Sequence, residues 1–323
     1  MSIQTQREQF EKNKVIYGSA KLTFLGVDGY DVYNCSTPIR QDGEVYIFGR
    51  VEKREVWAGS TVMLFREVAE DTYALVEGAK TYALEDPFVS VIHGEYILGG
   101  THVRKSRGKV DAFYTYFFRG TDLTDLEHFT AGPCRMKDIR LVELANGKVG
   151  VFTRPRNSQI AEKYGCESMI GYAEIDSVDE LDADVVENAR YLPDIFGEKE
   201  WGGCNQVLLL ADGTLGIIGH LSKRIETDGV VYAVYTNTAF GFDPVTGTSD
   251  GMKIIGTRPC YPAGPTKLEK LKDCAFTSGI VPRPDGRVDL YSGLCDCEEG
   301  RITIDDPFAA HGGVVERTLK GRG

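Results

Sequence analysis

The stretch QDGEVYIFGRV (41–51) sets a polar residue and a glycine, Asp42-Gly43, ahead of alternating apolar residues. Polar-Gly between two β-rich runs is the strongest short-range hairpin signal. The same phrase returns as IHGEYILGGTHV (92–103), ANGKVGVFTRP (145–155), ADGTLGIIGHLS (211–222) and PDGRVDLYSGLCD (284–296). The hairpin glycines 43, 94, 147, 213 and 286 are 51, 53, 66 and 73 residues apart. One four-stranded propeller blade takes roughly 40–50 residues. Five blades with longer late loops are therefore expected, forming a single all-β propeller domain over 1–323 with a central cavity. A β-sandwich of five hairpins is the alternative, but it would place turns every 8–12 residues or so.

Outer strands are expected in the β-rich runs at 60–68, 112–120, 168–175 and 231–242, and a helical or loop insertion at 178–190. The first fourteen residues read as a short polar helix or arm on the domain. The N-terminal MSIQTQREQFEKNKVIYG lacks the apolar centre of a secretory signal, and no run approaches the ~20 apolar residues of a membrane span. The eight cysteines are scattered without metal-ligand spacing. These features point to a cytoplasmic location with reduced thiols and no metal. A net charge of −11 opposes nucleic-acid or anionic-membrane binding.

Counting back eight or nine residues from each hairpin glycine reaches Asn34, Asp86, Asp138, Cys204 (beside Asn205) and Ser278. Counting forward seven to ten reaches Arg50, His102, Arg154, His220 and Asp296. Equivalent offsets in a propeller point into one cavity, and inward polar groups cost free energy unless paired or used. Each such residue alone fits a structural role, and Glu85-Asp86-Pro87 alone fits a turn. Their coincidence in all five repeats marks a site.

One privileged carboxylate beside a cationic cluster suits glycosidic chemistry. Asp86 would deliver a proton to the leaving oxygen, provided burial keeps its pKa raised. Inorganic phosphate is already a nucleophile and needs only positive charge, which Lys137, Arg140, Arg154 and Arg156 could supply. No P-loop is present.

The motif order resembles a known group. LEDPFVSVIHGEYIL (84–98) is similar to the catalytic segment of the five-bladed β-mannoside phosphorylases of glycoside hydrolase family 130. NCSTPI…FGRVE, KDIRLVEL…FTRPR, EKEWGG…IIGHLS and DCAFTSGIV…YSGLCD follow in the same order. FTRPRN and WGGCNQ are closer to a sister group, the β-1,2-mannan phosphorylases and mannosyltransferases of glycosyltransferase family 108. The resemblance covers about residues 30–300. It implies inverting phosphorolysis of β-1,2-linked mannosides to α-mannose 1-phosphate, with the reverse synthesis, and leaves open transfer from a nucleotide sugar.

On this resemblance Asp86 is the catalytic acid, acting through a sugar hydroxyl. Asn34, Arg50, Asp296, Lys199 and Asn205 are expected to bind substrate, and Lys137, Arg154, Arg156 and His220 phosphate. An oligosaccharide and phosphate are the expected partners; no cofactor is implied, and a homo-oligomer stays open. Phe88, Thr153 and Cys204-Asn205-Gln206 depart from the family pattern. A hydrolase of the same architecture would need Glu52, Asp138 or Asp296 as base. A noncatalytic carbohydrate-binding propeller would leave the cations unexplained.

Overall fold

A computed structural model describes residues 3–56 and 58–315. The expected domain limits, 1 and 323, lie outside these residues. Five mainly antiparallel sheets follow one another along the chain, and apart from the two N-terminal edge strands named below each runs in chain order from one side to the other. Blade one runs Asp31–Tyr33 and Ile39–Gln41 (one interrupted inner strand), Glu44–Glu52, Thr61–Ala69 and Thr72–Leu75. Thr23–Leu25 adds a parallel edge to it. Blade two is Glu85–Ile92, Glu95–Ser106, Lys109–Gly120 and Glu127–Ala131. Blade three is Arg140–Glu143, Val149–Thr153, Gly171–Ile175 and Arg190–Tyr191.

Blade four contains Glu200–Leu209, Leu215–Thr227 and Val230–Asp243, with Thr248–Ser249 and Lys253–Gly256 both paired to the third strand. Blade five contains Ala275–Pro282, Arg287–Leu294 and Glu298–Asp305. Its outer strand is Gly18–Lys21, from the other end of the chain. That pairing ties the start of the chain to the last blade and so closes the ring by hydrogen bonds.

All five expected hairpins join the first and second strands of their blades, in two geometries. Asp42 and His93 share positive φ with the glycine that follows, the two-residue turn that matches strand twist. At Gly147, Gly213 and Gly286 only the glycine has positive φ. There Asn146, Asp212 and Asp285 accept the backbone N–H two residues on, at 3.0, 2.9 and 3.1 Å.

Each inner strand is irregular eight or nine residues before its hairpin. The ladder slips between Glu85 and Phe88, Cys204 and Gln206, and Thr277 and Gly279. In blade one it is broken after Tyr33, and in blade three it begins only at Arg140. Asn34, Asp86 and Asp138 there adopt φ of 47°, 49° and 60°, a region that Asn and Asp tolerate better than other L-residues. A bulge re-aims side chains, and this one turns the polar residues out of the ladder. At ~3.3 Å per residue the irregularities lie ~25–30 Å from the hairpins, so the polar end and the hairpin end of the channel are opposite.

Apolar faces stack between blades. Phe88, Ile97, Phe117, Leu141 and Val151 pack between blades two and three. Phe152, Ile217, Phe240 and Phe242 do so between three and four. The N-terminal helix is Ile3–Asn13; the Ile3 N–H donates to Glu200 at 3.0 Å, and Arg7 pairs with Asp273 at 2.8 Å. The expected insertion holds a 3₁₀ turn, Val178–Glu180, and a short helix, Ala183–Glu187; the helix Ser158–Tyr164 was not expected. Among the described residues no helix is long and apolar enough to cross a membrane.

Candidate active site

Two adjacent cavities open at the polar end of the channel. The first, about 330 Å³, is lined by Asn34, Arg50, Glu85, Asp86 and Asp296, and by Trp201, Tyr235 and Phe276. The second, about 600 Å³, is lined by Arg135, Arg154, Asn157, Ser158 and Phe113. Lys137 and Arg156 line both, and so form the shared wall. A third cavity, about 240 Å³, lies at the hairpin end among Val89, Leu141, Val207, Ile280 and Val314, and holds none of the expected site residues.

Asp86 is buried and fully engaged. Its Oδ1 accepts from Asn34 Nδ2 at 2.9 Å and Arg50 Nη1 at 2.8 Å; its Oδ2 accepts from Lys137 Nζ at 3.0 Å. Burial alone would raise its pKa, but Lys137, Arg50 and the amide outweigh it and hold the carboxyl well below the usual carboxylate range. The sequence expectation of a raised pKa is thus corrected: the resting group is an anion, because two cations reach it. Arg50 is itself fixed by Ser60 at 2.8 Å and contacts Glu85 at 3.4 Å and Glu52 at 3.5 Å.

Burial raises the pKa of both Glu85 and Asp296. Asp296 sits at φ 56° on the turn after the second strand of blade five. Among the described residues no ion pair or hydrogen bond reaches its carboxyl. That leaves its oxygens available to sugar hydroxyls.

Two guanidinium groups approach the Trp201 ring, Arg156 at 5.0 Å and Arg224 at 4.8 Å from its centre. Glu167 ties both arginines, meeting Arg224 at 2.5 Å and Arg156 through its other oxygen. Tyr235 meets the Trp201 ring edge-on at 5.8 Å. These rings give the first cavity an apolar wall opposite polar hydrogen-bonding groups, the mixture a sugar presents. Sequence reasoning missed Trp201, Tyr235, Phe276, Arg135 and Arg224. Trp201 stood inside the EKEWGG motif, but Tyr235 and Arg224 come from strand positions that the hairpin offsets do not index.

Five expected residues lie elsewhere. Lys199 is largely exposed, beside Glu198, and lines neither polar cavity. Asn205 Oδ1 accepts from His220 Nδ1 at 2.7 Å, deep in the channel. His220 is buried against Phe276 and Tyr235, and burial takes its pKa down to about 3. It is neutral and outside both cavities, so it brings no charge to an anion. Arg140 stacks on Phe88 at 4.3 Å and donates to the Asn205 carbonyl at 2.7 Å, serving the wall between blades. Asp138 pairs with Arg154 at 2.8 Å rather than with its sequence neighbours Lys137 and Arg140.

A family described as "Protein of unknown function (DUF1861)" matches residues 8–310. A mannose phosphorylase from Leishmania mexicana, solved in complex with phosphate ion, is 47% identical, with a TM-score of 0.93 over 99% of this chain and 98% of that one. A GDP-Man-dependent mannosyltransferase from the same organism is 43% identical, with a TM-score of 0.91 over 98% of each chain. This chain belongs to their family. The likeness read from motif order therefore holds at family level. A β-1,2-mannobiose phosphorylase from Listeria innocua, 14% identical with a TM-score of 0.59 over 91% of this chain and 92% of that one, shares the fold. Among curated proteins, none matches the chain.

Proposed function

We propose that this protein is an inverting β-1,2-mannoside phosphorylase that releases α-mannose 1-phosphate and runs in reverse as a synthase. One observation carries the reading. Asp86 and the cation-lined second cavity meet at a common wall, formed by Lys137 and Arg156. The phosphate complex of the 47%-identical mannose phosphorylase supports it.

In this reading the mannoside occupies the first cavity against Trp201 and Tyr235, with Asn34, Arg50 and Asp296 as polar partners. Phosphate sits by Lys137, Arg154 and Arg156. A phosphate oxygen bonds to the anomeric carbon as the glycosidic C–O bond breaks, and the proton held at Asp86 passes to the leaving oxygen through a sugar hydroxyl. The resting anion suits the reverse direction, where Asp86 accepts that proton. Phosphate entering beside Lys137 offsets its charge and raises the proton affinity of Asp86 for the forward direction. No cofactor takes part in these steps. The identity to a GDP-Man-dependent enzyme supports mannosyl transfer as a second capacity. Eight free thiols, seven of them buried, favour a reducing compartment and so a cytoplasmic location.

The test is incubation with β-1,2-mannobiose with and without phosphate. Mannose 1-phosphate formed only with phosphate is the expected result. Free mannose at equal rates in both would assign the site to a hydrolase, with the unpaired Asp296 as its base. Binding without turnover would make it a noncatalytic lectin-like propeller.

A further inference from the structure

Behind the cavity lies an acid that the chemistry above does not use. Glu299, 1% exposed, sits on the third strand of blade five, directly across from Gly293. Its Oε2 accepts the backbone N–H of Cys35 at 3.1 Å, and its Oε1 the hydroxyl of Ser278 at 2.7 Å. The backbone N–H of Asn34 also points to it. The carboxyl therefore spans the turn of blade one and the inner-strand bulge of blade five. That turn carries Asn34 at φ 47°, where its amide reaches Asp86 at 2.9 Å. Gly293 makes room for it, since a Cβ there would fall 1.9 Å from Asn34 Oδ1.

We propose that Glu299 is a positioning residue whose carboxyl clamps the turn that presents Asn34 to Asp86. The proposal rests on the reading of Asp86 as the proton carrier. An anion accepting several N–H and O–H bonds holds a turn more firmly than a neutral acid, because charge-assisted bonds are roughly twice as strong. The titratable groups facing Glu299 are the Cys35 thiol and the Tyr261 phenol, both kept neutral by burial. No cation pairs with it among the described residues, and burial lifts its pKa to about 7. The clamp thus weakens as pH falls through neutrality.

Glu299→Gln keeps the volume and the neutral form, so it mimics the protonated clamp at every pH. Turnover of wild type and variant is compared from pH 6 to 8 at saturating phosphate. Phosphate ionisation cancels in their ratio. The ratio should be near one at pH 6 and climb through a midpoint near 7 to roughly five- to tenfold, the difference between a charged and a neutral hydrogen bond. The KM for phosphate should not move, and the thermal midpoint at pH 8 should hold or rise, since a buried charge is removed. A flat ratio, or a fall in turnover that tracks a fall in thermal midpoint, would overturn the clamp. If Asp86→Asn keeps normal turnover, the reading of Asp86 fails first. If that variant is dead while Glu299→Gln has a flat ratio, only the clamp fails.

Discussion

Lys137 Nζ lies 3.0 Å from Asp86 Oδ2, so one side chain is both the counter-ion of the buried carboxylate and part of the wall of the neighbouring cationic cavity. An anion arriving in that cavity competes with Asp86 for the same ammonium group. The protonation of the carboxyl is therefore tied to occupancy next door.

Asp86→Asn keeps the shape of the group and removes its proton exchange. Turnover should fall by about 10²–10⁴, the usual worth of general acid catalysis. Circular dichroism should show an intact β-fold. Near-normal turnover on an unactivated mannoside would take Asp86 out of the mechanism.

Arg156 bears on both cavities and pairs with the half-buried Glu167. Arg156→Gln should raise the KM for phosphate about ten- to a hundredfold, the loss of one charged hydrogen bond. Initial rates at varied phosphate measure it. An unchanged phosphate KM with collapsed mannoside affinity would move phosphate away from this side chain.

Removing the Trp201 ring takes away a face of the first cavity and frees both arginines stacked on it. Trp201→Ala should raise the KM for the mannoside about three- to tenfold, the scale of one aromatic contact. The phosphate KM should shift less. Equal loss of both would make the ring a general scaffold rather than a sugar platform.

Asp138 and Arg154 form a buried pair at 2.8 Å, and neighbouring cations bring the acid down to about 2. Its folded pKa is lowered from an unfolded value of about 3.9. Its contribution to stability is thus complete above pH ~4 and is lost as pH falls toward 2. Asp138→Ala leaves Arg154 uncompensated and should cost about 3–5 kcal/mol in urea unfolding at pH 7. The variant should also lose part of the acid sensitivity between pH 4 and 2. An unaltered acid limb would mean that other carboxylates govern it.

The five polar-Gly turns determined the repeat, because each turn needs backbone geometry that glycine meets without strain, and that requirement is local. The blade count followed from their spacing. Counting from them also located Asn34, Arg50, Asp86 and Asp296, since a fixed rise per residue converts an offset into a height in the channel. Height does not decide which way a side chain faces. Lys137 and Arg156 face the cavities while Arg140, Asn205 and His220 are spent on contacts between blades, and only the bulges and the packing of neighbouring blades separate the two groups. The ionisation of Asp86 was likewise outside the sequence, because it depends on cations from blades one and three converging on an acid of blade two. The cluster around Trp201 was hidden for the same reason: Arg156, Glu167 and Arg224 are up to 57 residues from their partners. Local turn chemistry wrote the fold, and convergence across blades made the site.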